Sequence, residues 1–344
     1  MKLSDWSTVP VVAAAAVFLA SGASAADSGE TTLTDNLRWT IDVAARGMIE
    51  TESDEFGHVE FLGLDLHKVF SNENGDWATL LLQPYLTRIN NVDMHPPFFD
   101  DDYDTQVVWR ITNINFTVLD GGRLNFKVGH FEIPFGLEQI INTNGTLRDY
   151  IHGPNFGLKA DWGVTVNGEL PALEYEVAVS RGSGNNWRNE GDPHIVSGRI
   201  GTPRDRSWWL GLSGFQGDVY DRGQPDGTLE RSRLGLDGAW FRRQFALLAE
   251  ISIGEDESTD VTNGLVEIDW SSVDDVWLIY FQLRRFEMDT TTPGGDDTAT
   301  SGALGVSWDP DNHWSLSLQW AHDFTTFAGA PETQVMAAQI RYRL

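Results

Sequence analysis

Apolar and polar residues alternate strictly over stretch after stretch of this chain, down to its final residue, and this narrows the possible folds more than any other feature. In the last stretch Met336, Ala338, Ile340, Tyr342 and Leu344 fall on one face, while Gln339, Arg341 and Arg343 fall on the other. A period of two is that of an extended strand. A strand oily on one side and cationic on the other fits poorly in a dry core, but it suits lipid on one side and a wet lumen on the other. That is the pattern of a transmembrane antiparallel β-barrel. A soluble all-β sandwich shares the alternation, because the pattern alone does not say which side is wet.

The N-terminus suggests where such a barrel goes. Residues 1–25 read as a signal peptide: Lys2, an apolar run over residues 9–20, then Ala23-Ser24-Ala25, whose small side chains fit a signal-peptidase pocket. Cleavage after Ala25 is expected, leaving 26–344 as the barrel. The apolar run is too short to cross about 30 Å of hydrocarbon as a helix, and no later stretch is as long without charges. A mature chain that spans a membrane must then satisfy its backbone as a closed barrel. The expected location is the outer membrane of a Gram-negative bacterium, reached through the periplasm.

Composition bears on function mainly by exclusion. There is no cysteine, which removes disulfides, thiolate metal sites and covalent haem attachment. The net charge of −27 argues against nucleic acid as a partner, since phosphate binding needs a basic surface. The 34 glycines and 14 tryptophans suit a barrel with many turns and two interfacial aromatic belts. The eight histidines have no metal-ligand spacing, no Gly-x-Ser-x-Gly elbow is present, and the Gly182-Ser183-Gly184 run leads into a loop and not a helix. Neither an enzyme nor a cofactor is expected.

About sixteen strands are expected. The clearest cover residues 37–49, 158–166, 173–179, 245–253, 277–283, 314–320 and the terminal stretch. Weaker ones cover 59–70, 79–88, 105–118, 122–128, 196–200, 208–214, 231–240, 265–270 and 302–308. Within 105–118 the apolar set moves from Val107, Trp109 and Ile111 to Ile114, Phe116 and Val118, which predicts a bulge. Connectors come in two sizes. Short ones lie at 74–75, 120–122 and 309–312, and long ones at 90–104, 131–156, 183–193, 217–228, 254–263 and 289–300.

The connector after the 122–128 strand carries the most specific motif, running Gly129, His130, Phe131, Glu132, Ile133, Pro134, Phe135, Gly136, Leu137, Glu138. It resembles the corresponding segment of the phosphate-selective porin O and P family. The resemblance implies a sixteen-stranded outer-membrane porin, usually a homotrimer, with an inward-folded third loop that forms a constriction around Glu132, Pro134, Phe135, Gly136 and Glu138. The local chemistry is compatible, because Pro134 removes a donor and stops the strand while Gly136 permits a turn. An ordinary external loop is the other reading of the same residues. Phosphate specificity does not follow from the resemblance, since the family's lumenal arginine ladder and lysine cluster cannot be placed residue by residue here.

Strand phase assigns Arg38, Arg46, Arg123, Lys127, Lys159, Arg199, Arg231, Arg233, Arg284, Arg341 and Arg343 to the lumen. Asp42, Asp161, Glu174, Glu176, Glu250, Glu267 and Asp269 join them, so a mixed, modestly basic lumen is expected. Acidic runs at 52–55, 100–104, 255–260 and 296–297 read as a solvated rim and not as calcium loops, which need spaced ligands. Two functions fit. The first is a porin passing small, charged solutes or ions by passive diffusion through outer-membrane lipid. The second is a structural sleeve around a periplasmic multihaem cytochrome, whose haem would belong entirely to the partner.

Overall fold

The alternating stretches become strands in the computed structural model, which describes residues 35–73, 75–90, 105–143, 145–150, 155–221, 227–289, 297–327 and 331–344. In chain order they are β1 (Leu37–Glu50), β2 (Phe56–Asn72), β3 (Gly75–Asn90), β4 (Thr105–Leu119), β5 (Leu124–Glu132), β6 (Ala160–Glu169), β7 (Glu174–Ser180) and β8 (His194–Gly201). The second half comprises β9 (Trp208–Tyr220), β10 (Thr228–Arg242), β11 (Phe245–Asp256), β12 (Thr259–Ser271), β13 (Trp277–Asp289), β14 (Asp297–Trp308), β15 (Trp314–Thr325) and β16 (Gln334–Arg343). Residues 38–344 form one unit. Of the other unit, residues 1–37, only 35–37 are described, so the Ala23-Ser24-Ala25 cleavage site lies outside the described residues.

Each strand pairs antiparallel with its neighbours in sequence, and β1 pairs with β16 to close the barrel. Closure removes the free edges whose unpaired backbone groups would invite aggregation. Among the described residues no helix is long and apolar enough to cross a membrane.

Alternation sorts the side chains inside out relative to a soluble protein. On the outer face Leu234, Leu236, Ile251, Ile253, Leu304 and Leu318 are each more than half exposed. On the inner face Asp237, Ser252, Asn263, Glu267 and Gln282 are buried. A soluble sandwich would bury the leucines and expose the carboxylates, so this distribution excludes that alternative.

The predicted phase slip in β4 is present. Leu82 pairs with Thr112 but Pro84 pairs with Trp109, which leaves one extra residue on β4 and moves its inner set from Val108 and Arg110 to Asn113. Pro84 lies at this break, where the ladder loses nothing by its missing N–H. A second irregularity falls at Val118.

Two inner tyrosines lie over glycines on neighbouring strands. Gly63 is opposite Tyr85, and Gly305 is opposite Tyr280. A Cβ on either glycine would collide with the tyrosine ring. The missing side chain lets each ring lie flat along the wall and carry its hydroxyl to a polar partner, Asp42 (2.9 Å) and Asp65 (3.0 Å) for Tyr85, Gln319 (2.6 Å) for Tyr280.

The strands outrun their predicted limits, mostly at the long-loop end, where both faces are polar and alternation fades. The expected loop at 254–263 is the clearest correction. There β11 continues to Asp256 and β12 begins at Thr259, leaving a two-residue turn in which Glu257 has φ 53°. The acidic run 255–260 is therefore mostly strand. Arg123 is also corrected, lying exposed in the turn before β5 and not on a strand. The expected loop at 90–104 falls, apart from Asn90 at the end of β3, outside the described residues, with the acidic run 100–104.

The short-turn end carries an aromatic girdle. Trp39, Trp77, Trp208, Trp240, Trp270, Trp277, Trp308 and Trp314 all lie within a few residues of that end of their strands and face outward. Trp277 and Trp308 stack at 6.0 Å, and Trp314 packs on Tyr342 at 4.8 Å. In the turn after β14, Asp311 accepts backbone N–H bonds from His313 and Trp314, both 2.8 Å, and these hold its carboxyl below the usual carboxylate range.

One seam in the wall is closed by a side chain. The β4–β5 ladder begins only at Thr112 and His130, so β5 does not reach Val107 and Trp109. Asn185, from the β7–β8 connector, supplies the missing partner: its Oδ1 accepts Trp109 N–H at 2.8 Å and its Nδ2 reaches Val107 O at 3.5 Å. Trp162 Nε1 fixes the same connector by donating to Asn185 O at 3.0 Å.

Candidate functional site

The inner face carries a charged network, and the described residues of the segment between β5 and β6 (133–143, 145–150 and 155–159) make contacts with it. Pro134 sits in a three-residue turn closed by Phe135 N–H to Ile133 O at 2.8 Å. Gly136 follows with φ 60°, which suits glycine, and a Cβ there would strike the Glu250 carboxylate. Glu250 Oε2 instead accepts Leu137 N–H at 2.7 Å, and Ser213 Oγ accepts Gly136 N–H at 3.0 Å.

From there the segment meets inner-face residues of strands on several sides of the barrel. Phe135 packs edge-on against Phe156 at 4.8 Å, and Phe156 stacks on Phe215 of β9 at 4.5 Å. Leu137 and Tyr150 cluster with Trp209, Ala239, Leu248 and Leu265. Arg46 of β1 donates to Thr146 O at 2.8 Å, and Gln339 of β16 bonds Gly145 O. Arg148 reaches Glu267 (2.9 Å) and Asp269 (3.3 Å) of β12, while Asp149 pairs with Arg284 of β13. Asn155 Oδ1 accepts three bonds, from Arg233 Nε (3.1 Å), Ser252 Oγ (3.0 Å) and Asn263 Nδ2 (2.8 Å).

Nearly all the inner cations face carboxylates. Arg341 donates to Asp42 at 2.8 Å, and Arg343 lies 2.8 Å from Asp65 and 3.6 Å from Asp42. Lys127 pairs with Glu176 at 2.6 Å. Arg199 pairs with Asp237 at 2.7 Å and Glu174 at 3.5 Å. Arg231 and Arg233 share Asp256. Lys159 lies 3.6 Å from Glu138 and 3.9 Å from Glu132, which also faces Arg110 at 3.9 Å. Arg46 is different, resting on the Gln339 amide oxygen at 2.9 Å. Arg38 is exposed at the start of β1. Asp161 is tied to the backbone N–H groups of Gly182 and Gly184. Among the described residues the inner-face cations expected to make the lumen modestly basic thus mostly stand opposite carboxylates.

Strand phase alone does not yield several of these partners. Asp65 and Asp237 follow the alternation and could have been read from it. Arg110 was obscured by the phase slip. Arg148, Asp149, Tyr150 and Asn155 belong to a segment without periodicity, and no sequence signal marks them. Among the described residues no group of three His or carboxylate side chains is placed to hold a metal ion.

No protein-family model matches the chain, and no curated protein sequence matches it. Solved structures do. OprB of Pseudomonas putida superposes with a TM-score of 0.66 at 12% identity, covering 90% of this chain and 94% of that one. An anion-selective porin from Comamonas acidovorans gives 0.66 at 10% identity, with 90% and 99% covered. OmpT of Vibrio cholerae, an outer-membrane protein in trimer form, gives 0.64 at 12% identity, with 90% and 99% covered. The fold is that of the outer-membrane porins. Identities this low establish architecture and leave the solute to be argued from the residues.

Proposed function

We propose that this chain is an outer-membrane porin, a water-filled barrel through which small, charged hydrophilic solutes diffuse passively, with segment 133–159 folded inward as its constriction. One observation carries the reading: the outer face is apolar and exposed while the inner face is polar, and the segment's contacts go to inner-face residues from β1 to β16. Sixteen strands are enough for an aqueous channel. The chain is read as cleaved after Ala25, exported through the periplasm, inserted at residues 26–344 and assembled as a homotrimer.

The ion pairs argue for broad permeability to polar solutes and against an oxyanion-specific route. A phosphate would have to compete with Asp42, Asp237, Asp256 and Glu176 for the very guanidinium and ammonium groups that would attract it. We therefore carry over the porin architecture and not phosphate selectivity. Against the sleeve stands the same reading of the segment, since a 133–159 folded inward would take up inner space that a cytochrome needs.

Single-channel recording from purified protein tests this reading. Ion-conducting pores are expected, from protein that begins at Ala26, fractionates with outer membranes and migrates differently on a denaturing gel with and without boiling. Replacing Glu132 and Glu138 with Gln should shift the reversal potential in a salt gradient toward anions, since charges at a narrow pore act at close range. Replacing Asp296 and Asp297 should do much less, because screening falls off over about 8 Å at physiological salt. A closed barrel that conducts only alongside a co-purifying haem protein would replace this reading with the sleeve.

A further inference from the structure

Outside the lumen, the outer face of β9–β13 is not evenly convex. A groove of about 660 Å³ runs along it, lined by Trp208, Leu210, Gly238, Trp240, Ala249 and Gly264 among others. That volume is within the range of small-molecule sites. Its floor is low at Gly264, where a Cβ would meet nothing within 4 Å, whereas the Leu210 side chain already lies over Gly238.

Three arginines lie just beyond the short-turn end of the groove, without lining it. Trp208 pairs with Trp240, and Phe241 N–H donates to Ser207 O at 2.8 Å, so the turns after β8 and β10 lie side by side. They carry exposed Arg206 and Arg243, exposed Arg242 ends β10 beside them, and the Arg206 guanidinium is 5.9 Å from the Trp208 ring. Arg204 in the same turn is already engaged by Glu174 at 3.0 Å, and exposed Asp205 is the nearby countercharge in sequence. In a chain of net charge −27, three such arginines at one rim stand apart. They sit beside tryptophans of the girdle, the level at which headgroups lie.

We propose that this groove holds an anionic phospholipid of the leaflet at the short-turn end, one acyl chain past Leu210 along Ala249 and Gly264 and its phosphate against Arg206, Arg242 and Arg243. Charge complementarity selects this occupant. Guanidinium groups bind phosphate bidentately, whereas at the far end of the groove Arg285 is neutralised by Glu287 at 2.7 Å. The proposal rests on the barrel being in an outer membrane, and not on what it conducts.

The test is the lipid retained by folded protein purified from membranes in mild detergent, with phosphatidylglycerol and cardiolipin counted against lipopolysaccharide. Wild type should retain anionic phospholipid. The R206Q/R242Q/R243Q variant should lose most of it, each arginine near an anionic surface contributing a preference of about fivefold. Gly264→Leu, which fills the floor without a clash, should lose it as well. R123Q, at the same rim but away from the groove, should match wild type. Equal retention by the triple variant, or lipopolysaccharide as the retained species, would overturn the proposal. Conductance recorded on the same preparations separates the two readings: wild type that keeps its phospholipid but forms no pore refutes the porin and spares the groove.

Discussion

Phe135 occupies the space that a side chain at Gly235 would need: a Cβ on Gly235 would lie 2.5 Å from the Phe135 ring carbon Cζ. The hole in the inner face of β10 and the ring from the segment facing it thus form a socket and a plug. Emptying or filling the socket should loosen the segment and leave the barrel standing. Phe135→Ala removes a buried aromatic, a change that costs about 3–5 kcal/mol in a packed core. Gly235→Leu should cost about 1–3 kcal/mol by overpacking. Both variants should still show the heat-dependent gel shift, with larger or noisier single-channel currents. Currents identical to wild type in both would mean that the segment does not limit the pore.

Asn155 predicts a stability effect at a residue with no sequence signature. Asn155→Leu leaves Arg233 Nε, Ser252 Oγ and Asn263 Nδ2 without their common acceptor. About 1–3 kcal/mol is expected for each buried donor left unpaired, read as a lower urea midpoint. The loss should be smallest at Arg233, which keeps Asp256 and two backbone carbonyls. An unchanged midpoint would show that the three donors find other partners.

The two faces of β15 put the proposed membrane and lumen sides to the test. Leu318 is 59% exposed on the outer face, and its neighbour Gln319 points inward to Tyr280. Leu318→Arg should cost about 2–4 kcal/mol near the bilayer midplane, and Gln319→Arg much less. Refolding into vesicles measures both, and equal penalties would contradict the assigned faces.

Asp311 gives a pH dependence of known sign. Its pKa is depressed in the folded state by two backbone N–H donors, so its contribution to stability is present above the unfolded-state pKa and is lost as pH falls through the folded value. Asp311→Ala should be less stable than wild type at neutral pH, and the two should converge in acid. A gap that persists below the folded-state pKa would assign the effect to packing of the turn.

The sequence was most legible where one physical rule acted alone. With an exposed apolar face outward and polar contacts inward, Leu304, Leu318 and Ile251 alternate with polar neighbours, so the sixteen strands and the slip in β4 are readable. Legibility failed where that constraint ended. Asp256 and Thr259 extend a hairpin in which both faces are polar, so alternation alone does not distinguish the turn between them from a long loop. It failed again in the segment after Glu132, because Arg148 finds Glu267 and Asn155 finds Asn263 only through the register of strands far along the chain. Arg123 falls outside its strand because β5 begins at Leu124, past the turn glycines Gly121 and Gly122.

The side chain that mends the wall beside Trp109 also constrains the order of construction. Its residue lies 76 positions further along the chain. A barrel laid down hairpin by hairpin would have an open stitch at Val107 and Trp109 until the connector after β7 had crossed and settled. The early half of the wall is finished by material from the middle of the chain, so the β4–β5 junction is not sealed by its own two strands alone.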